Sequence, residues 1–422
     1  MVYLHVPFCR SFCSYCDFYS EIACKERDVL LFEAYTEAVC AEAARRRDEI
    51  EATRDLDTFY IGGGTPSVLP LALLRHLVCS IGQPATPRAP TRGHAQFVEF
   101  TVEVNPEDIV EKGEEYVRGL LDLGVNRISM GVQSLDDGIL RWMNRRHDAA
   151  RARQAFRILR DAGARNISVD LIFGLSQLTE DIFSRTLDEV LAWRPEHISA
   201  YQLSIEEGSA LGRLVREGRY TEAPQEQCAA QYALLCERLR AAGYVHYEIS
   251  NWALPGREAV HNSAYWTRHP YVGLGPSAHS FQDRVRSWNE SSLRSYLHSN
   301  PHHFVEPPMK GAWPSTSVPG CDSVASTSSR SLADTPSRRL TAPSLRSTTR
   351  QQTNHEVLSA EEIQEEKVML GLRTARGVTE DLLPKEKAAG MLADGRLVRV
   401  EDRLRIPEGY WFVSDGIIAE LL

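Results

Sequence analysis

The chain has 422 residues, of which 43% are hydrophobic and 25% charged, and its formal net charge is −9. That length makes two domains plus a linker the natural expectation, and the composition is that of a globular protein. The negative balance weighs against a general nucleic-acid-binding surface, and no apolar run reaches the length of a membrane span.

Six strand candidates recur along the first half: Val2–Val6, Asp57–Ile61, Phe97–Val104, Arg127–Val132, Ser168–Phe173 and His197–Leu203. Each is short, rich in β-branched or aromatic residues, and followed by a glycine, proline or polar turn. Helical stretches fall between them at Val29–Ile50, Pro106–Leu123, Ala149–Ala162 and Thr179–Ala192. Strands alternating with helices imply an α/β fold with a parallel sheet of right-handed βαβ units. Six such units predict a partial (β/α)6 open barrel. Gly82–Ala95 reads as a surface insertion, and Pro314–Thr353, rich in Ser, Thr, Arg and Pro, as a disordered linker. Beyond it, Ala360–Leu372, Lys385–Leu392 and Ile417–Leu422 read as helices around a short hairpin, a small winged-helix-like domain. The expected division is residues 1–245 for the barrel, 246–313 for an extension packed on it, 314–356 for the linker and 357–422 for the C-terminal domain.

In barrels of this kind the working residues lie at the C-terminal ends of the strands. Cys9, Cys13 and Cys16, in the spacing CxxxCxxC, follow the first strand, and Gly62-Gly63-Gly64-Thr65-Pro66 follows the second. Glu103 and Asn105 end the third strand and Gln133 the fourth, Asp170 lies on the fifth, and Gln202 and Ser204 end the sixth. Three closely spaced thiolates can hold three corners of a cubane iron–sulfur cluster and leave the fourth iron open. A zinc knuckle is the competing reading, but zinc favours four ligands in paired short spacings, and Cys24 falls outside such a pattern. A glycine run after a strand allows close backbone approach and offers amide N–H groups to an anion. An odd total of nine cysteines fits free thiols in a reducing compartment. The first strand begins at residue 2, so no leader is expected and the location is cytoplasmic, or organellar if a leader is missing from this chain.

The triplet, with Tyr15 before its last cysteine, and the glycine motif Gly62–Pro66 resemble the radical S-adenosylmethionine superfamily. That resemblance implies a 4Fe–4S cluster whose open iron is chelated by S-adenosylmethionine, and cleavage to a 5′-deoxyadenosyl radical. Tyr3-x-His5-x-Pro7-Phe8-Cys9, Glu103-x-Asn105-Pro106, Asn126 to Ser134 and Asp170-Leu171-Ile172-x-Gly174-Leu175 are similar to the branch of oxygen-independent coproporphyrinogen III oxidase. Within it, Tyr3, Gly63, Gly64, Thr65, Glu103, Arg145 and Asp170 would bind or orient S-adenosylmethionine. Tyr15 and Gln133 would face a second molecule, and Ser204 occupies another contacting position.

Two departures from the oxidase stand out. Phe18 replaces its further cysteine, and its N-terminal extension is absent. Both departures, and the motif His261-Asn262-Ser-Ala-Tyr265-Trp266, resemble the HemW group of haem chaperones. This implies haem as a further cofactor, His261 as its ligand, and delivery to an acceptor haemoprotein, with a homodimer left open. Imidazole ligates haem iron, and Tyr and Trp offer flat faces to a porphyrin. His5, His269 and His279 are rival ligands, and a bare histidine beside tryptophan is more often structural. The alternative is an enzyme, oxidative decarboxylation of coproporphyrinogen III; the extra cysteine's absence disfavours it.

Overall fold

The computed structural model describes residues 1–23, 28–82, 97–206, 209–300 and 354–422. Most of the expected insertion at 82–95, the linker 314–353 and Cys24 lie outside the described residues.

The six expected strands all form, with bounds within two residues of expectation: β1 Val2–Val6, β2 Thr58–Gly63, β3 Glu99–Val104, β4 Arg127–Gln133, β5 Ile167–Phe173 and β6 His197–Gln202. They lie side by side in chain order and all parallel. The later segment adds to both flanks. Its strands β7 Val245–Glu248 and β8 Asn251–Ala253 join antiparallel beyond β6, whereas β9 Val272–Leu274 pairs parallel with β1. The order is therefore β9-β1-β2-β3-β4-β5-β6-β8-β7, an open sheet that does not close.

The strands alternate with period two. Val2, Leu4, Phe59, Ile61, Phe100, Val102, Ile128, Met130, Val169, Leu171 and Ile198 are buried in the core beneath the covering helices. The intervening positions are polar: Tyr3 and His5, Thr58 and Tyr60, Thr101 and Glu103, Arg127 and Ser129, Ser168 and Asp170, His197 and Ser199. A parallel strand buried on both faces normally reads as a continuous apolar run. Here one face is instead a concave polar lumen, which has to be satisfied by internal partners or by a ligand.

Helices α1 Val29–Arg45, α2 Leu71–Gly82, α3 Pro106–Asp122, α4 Ala149–Asp161, α5 Glu180–Trp193 and α6 Gln225–Ala241 accompany the strands. The expected Val29–Ile50 helix breaks at Arg46. There the guanidinium leaves the helix to reach the Gly273 carbonyl at 2.8 Å and Ser280 Oγ at 3.0 Å, tying α1 to the β9 flank.

A seven-residue helix, α7 Val260–Trp266, carries the His-Asn-x-x-Tyr-Trp motif and lies against the N-terminal ends of the strands. The C-terminal part comprises α8 Ala360–Leu372, α9 Lys385–Ala393 and α10 Ser414–Leu421 with a small sheet of Val378–Thr379, Val398–Val400 and Arg403–Arg405. Helix α8 opens on a full capping box between Ser359 and Glu362. This part is bound to the β7 flank by main-chain bonds from Ala375 N to Tyr247 O (3.0 Å) and Ile249 N to Arg373 O (3.0 Å). Trp411 packs edge-on against His246, ring centres 4.2 Å apart.

Candidate functional site

The cysteine loop crosses the C-terminal mouth of the lumen and is clamped from both sides. Phe8–Cys9 pairs with Glu21–Ile22, closing the loop at its base. Arg10, almost fully buried, bridges Asp108 (2.9 Å) and Glu111 (2.6 Å) on α3. On the other side Ser14 N donates to the Met143 carbonyl (3.1 Å), and Asn144 Nδ2 to the Phe12 carbonyl (2.6 Å). The loop presents Cys9, Cys13 and Cys16 as half-buried free thiols. Burial pushes the Cys9 thiol up, and it raises Cys16 to about 11, with its neighbouring cysteines adding to the shift. Crowded, desolvated thiols of this kind suit a cationic cluster that holds them as thiolates.

Thr65 and Arg145 are among the side chains that reach this triplet. Thr65 Oγ1 lies 3.5 Å from Cys9 Sγ, and Arg145 Nη1 lies 3.5 Å from Cys13 Sγ. Asn105 joins them, donating to Thr65 Oγ1 (3.0 Å) and accepting from Arg145 Nη2 (2.7 Å). Arg145 also donates to the Gly131 carbonyl at 2.8 Å, while its buried Nε has no partner among the described residues. An orphaned donor beside three thiols is what a site built for a further acceptor would contain.

The glycine run proves to be a packing device. Gly64 N donates to the Val6 carbonyl (2.8 Å) and Gly63 N to Glu103 Oε2 (3.2 Å), so both amides are taken internally and not held open for an anion. Gly63 has φ of 107°, and a Cβ there would stand 2.7 Å from the His5 ring; at Gly64 it would meet the Phe8 carbonyl at 2.8 Å. Only glycine allows the second strand to pass this close beneath the cysteine loop.

Deeper in the lumen, Glu103 accepts from Tyr60 Oη at 2.7 Å. Withdrawal from water pushes its carboxyl up to about 7, against the lowering hydrogen bond from Tyr60. Asp170 accepts from Ser129 Oγ (3.0 Å) and Ser168 Oγ (3.2 Å), and burial raises it as well. Gln133 follows a bulge in the β4–β5 pairing and holds φ of 65°, an uncommon conformation for this residue type that re-aims its side chain. Tyr3 Oη meets His5 Nδ1 at 3.1 Å, and Tyr15 is packed against the core near Arg145 and the cysteines. The structure thus gathers Tyr3, Tyr15, Gly63, Gly64, Thr65, Glu103, Gln133, Arg145 and Asp170 about one mouth. Ser204 is different: it is exposed beyond β6 and donates to Glu206 at 2.6 Å.

His261 lies at the opposite end of the lumen. It is 0% exposed, with Nδ1 2.8 Å from Thr58 Oγ1 and Nε2 2.9 Å from Tyr265 Oη. Glu99 receives the Val260 and His261 amides at 2.8 and 2.9 Å, fixing α7 to the foot of β3. Burial lowers the His261 imidazole to about 3, so the ring is neutral. Among its rivals, His5 is buried with Nε2 on the Tyr19 carbonyl (2.9 Å) and His269 pairs with Asp55 (3.0 Å). His279 stacks on Trp288 with ring centres 5.7 Å apart.

Two lumen residues escape a reading of the sequence alone. Tyr60 stands between the ends, bonded to Glu103 and with its ring centre 5.2 Å from that of His261. Arg127 is 1% exposed, and its Nε and Nη1 lack partners among the described residues. The period-two polarity of the strands carries both.

A profile of the Radical SAM superfamily matches residues 3–190. The haem chaperone HemW of Bacillus subtilis is 33% identical over 295 residues, spanning 70% of this chain and 74% of that protein. The chain belongs to the HemW family. HemW of a Synechocystis strain is 35% identical over 298 residues, 70% of this chain and 69% of that one. The mitochondrial radical S-adenosyl methionine domain-containing protein 1 of Danio rerio is 31% identical over 278 residues, covering 66% and 59%. Escherichia coli coproporphyrinogen III oxidase (HemN), a radical SAM enzyme, superposes with a TM-score of 0.69 over 99% of this chain and 89% of its own, at 18% identity. That similarity is one of fold, within the same HemN-like branch to which HemW belongs. Radical SAM membership implies a 4Fe–4S cluster and S-adenosylmethionine, and the cysteine mouth has the donor set for them. No helix among the described residues is long and apolar enough to cross a membrane.

Proposed function

We propose that this chain is a haem chaperone that holds a 4Fe–4S cluster and S-adenosylmethionine at the cysteine mouth and passes haem to an acceptor haemoprotein. The observation that carries the reading is the pairing of the haem-chaperone relatives with a His-Asn-x-x-Tyr-Trp helix built into the same barrel as the cysteine triplet. Cys9, Cys13 and Cys16 would ligate three irons, and bound S-adenosylmethionine would supply the remaining ligands and accept an electron from the cluster. Glu103 and Asp170 would accept from its ammonium and ribose hydroxyl groups. Arg145 would hold charge behind Cys13, and Gln133 and Tyr15 would line the mouth. With Arg145 bonded to Asn105, Gly131 and Cys13, its support is for positioning the loop.

His261 is the proposed haem ligand, and that role requires it to release Thr58 and Tyr265. Haemin titration of the apoprotein and of His261→Ala tests this: an unchanged Soret position would remove His261 as the ligand. Anaerobic incubation of the reduced, reconstituted protein with coproporphyrinogen III tests the enzymatic alternative, and formation of protoporphyrinogen would overturn the chaperone reading. We place the protein in the cytoplasm, or in an organelle in the manner of the mitochondrial relatives.

A further inference from the structure

Away from the lumen, three metal-ligating side chains meet where three separate elements touch. Cys236 stands on α6, His246 on β7, and Glu408 opens the turn Glu408–Val413 of the C-terminal part. One donor atom from each lies within 4.8 Å of the other two. His246 Nδ1 and Glu408 Oε1 are 2.9 Å apart. A tetrahedral zinc ion holds sulfur, nitrogen and oxygen donors about 3.3–3.6 Å from one another. Only a few tenths of an ångström separate the His246–Glu408 pair from that spacing.

The surroundings of the trio are those of a metal site. His246 Nε2 faces the Ile249 carbonyl at 3.4 Å while Nδ1 faces the Glu408 carboxylate. Burial holds this imidazole below its ordinary range, against the raising influence of Glu408. A neutral imidazole has one proton for those two acceptors. A cation at Nδ1 leaves the proton on Nε2 for the carbonyl and satisfies both, as metal-bound histidines commonly do. Trp252 stacks on the ring with centres 4.0 Å apart, and Trp411 closes its edge, so its plane is fixed. Arg240 Nη2 grips the other carboxylate oxygen, Oε2, at 2.5 Å and orients Oε1 toward the trio. Burial pushes the Cys236 thiol up to about 12, with the Glu408 charge adding to the shift. A divalent cation would displace that proton to solvent, and one thiolate and one carboxylate would balance its charge.

We propose that Cys236, His246 and Glu408 form a zinc site that fastens the C-terminal part to the sheet flank. The mixture of thiolate, imidazole and carboxylate suits zinc, whereas magnesium and calcium take oxygen donors. Glu408 has a side chain 31% exposed, which gives the ion an entry path and leaves its fourth position to water. The site lies apart from the cysteine mouth and does not depend on the haem reading.

The test is anaerobic calorimetric titration of the full, cluster-reconstituted chain with zinc, the iron–sulfur cluster occupying the N-terminal triplet. Wild type should take up about one zinc per chain, and saturating zinc should raise its thermal midpoint. Cys236→Ala and Glu408→Gln should each weaken zinc binding by about a hundredfold or more, beyond the usual loss from an outer-shell change, and should lose the thermal gain. The control Cys228→Ala, at a buried cysteine on the same helix, should behave as wild type. Iron per chain reports whether each variant keeps its fold. If Cys236→Ala does not, Glu408→Gln, at a part-exposed carboxylate, decides alone. No zinc uptake by wild type would overturn the proposal, leaving an ordinary ion pair beside a core thiol. Uptake equal in wild type and Glu408→Gln would overturn it as well, by placing the ion elsewhere.

Discussion

The guanidinium of Arg145 stands 3.5 Å from Cys13 Sγ while its other nitrogen spans Asn105 and the Gly131 carbonyl. One buried arginine therefore ties the cysteine loop to strand β4 and, through Asn105, to Thr65 beside Cys9. Lysine would keep the charge but lose the planar fork. Arg145→Lys should lower stability by about 1–3 kcal/mol, read from urea unfolding of the apoprotein. A wild-type midpoint would show that the fork does not hold the loop.

Each of Cys9→Ser, Cys13→Ser and Cys16→Ser should lose the reconstituted cluster, measured as iron and sulfide per chain and as visible absorbance. Cys40→Ser and Cys79→Ser, at free cysteines away from the mouth, should retain it. Equal loss at all five positions would count against a dedicated triplet.

Glu103 titrates near 7 in the folded protein because its carboxyl is withdrawn from water. As the proposed acceptor for an ammonium, it works only when ionised. Binding of S-adenosylmethionine should therefore strengthen as pH rises from 6 to 8, and Glu103→Gln should weaken binding and flatten that dependence. Equilibrium dialysis at the two pH values reads both; an unchanged pH profile in the variant would exclude Glu103 as the titrating contact.

The shift at His261 runs the other way, downward. Its folded value, about 3, lies below the ordinary 6.5, so as pH falls below 6.5 the unfolded chain binds the proton and the folded one does not. The stability it contributes is complete above pH 6.5 and declines as pH falls toward 3, by at most about 1.4 kcal/mol per pH unit. His261→Gln should flatten that acid limb between pH 6.5 and 4 in thermal unfolding. Identical slopes would mean that the imidazole is not kept neutral in the barrel foot.

The strands were legible because each is a short β-branched run with a turn behind it, and the cysteine mouth followed from placing polar residues at strand ends. Helix bounds were legible where a proline or an Asp cap opens them, as at Pro106 and Asp148. What escaped was spatial. Nδ1 of His261 is satisfied by Thr58, 203 residues away, and no local pattern encodes that pairing. The partners of the Gly63 and Gly64 amides, Glu103 and Val6, are likewise 40 and 58 residues distant in the chain. Strands β7 to β9 are three or four residues each, too short to register as periodic signals, although they complete both flanks of the sheet.

Those short strands govern what can be removed. Between Val245 and Leu274 the chain leaves one margin of the sheet, passes beneath the barrel as α7, and returns at the other margin. Excising that stretch would strip β1 and β6 of their outer neighbours and bare two rows of main-chain donors and acceptors to other molecules. The His-Asn-x-x-Tyr-Trp helix is stitched into the sheet's hem, so it cannot be lost or transplanted as a module without unravelling the sheet that carries the cysteines.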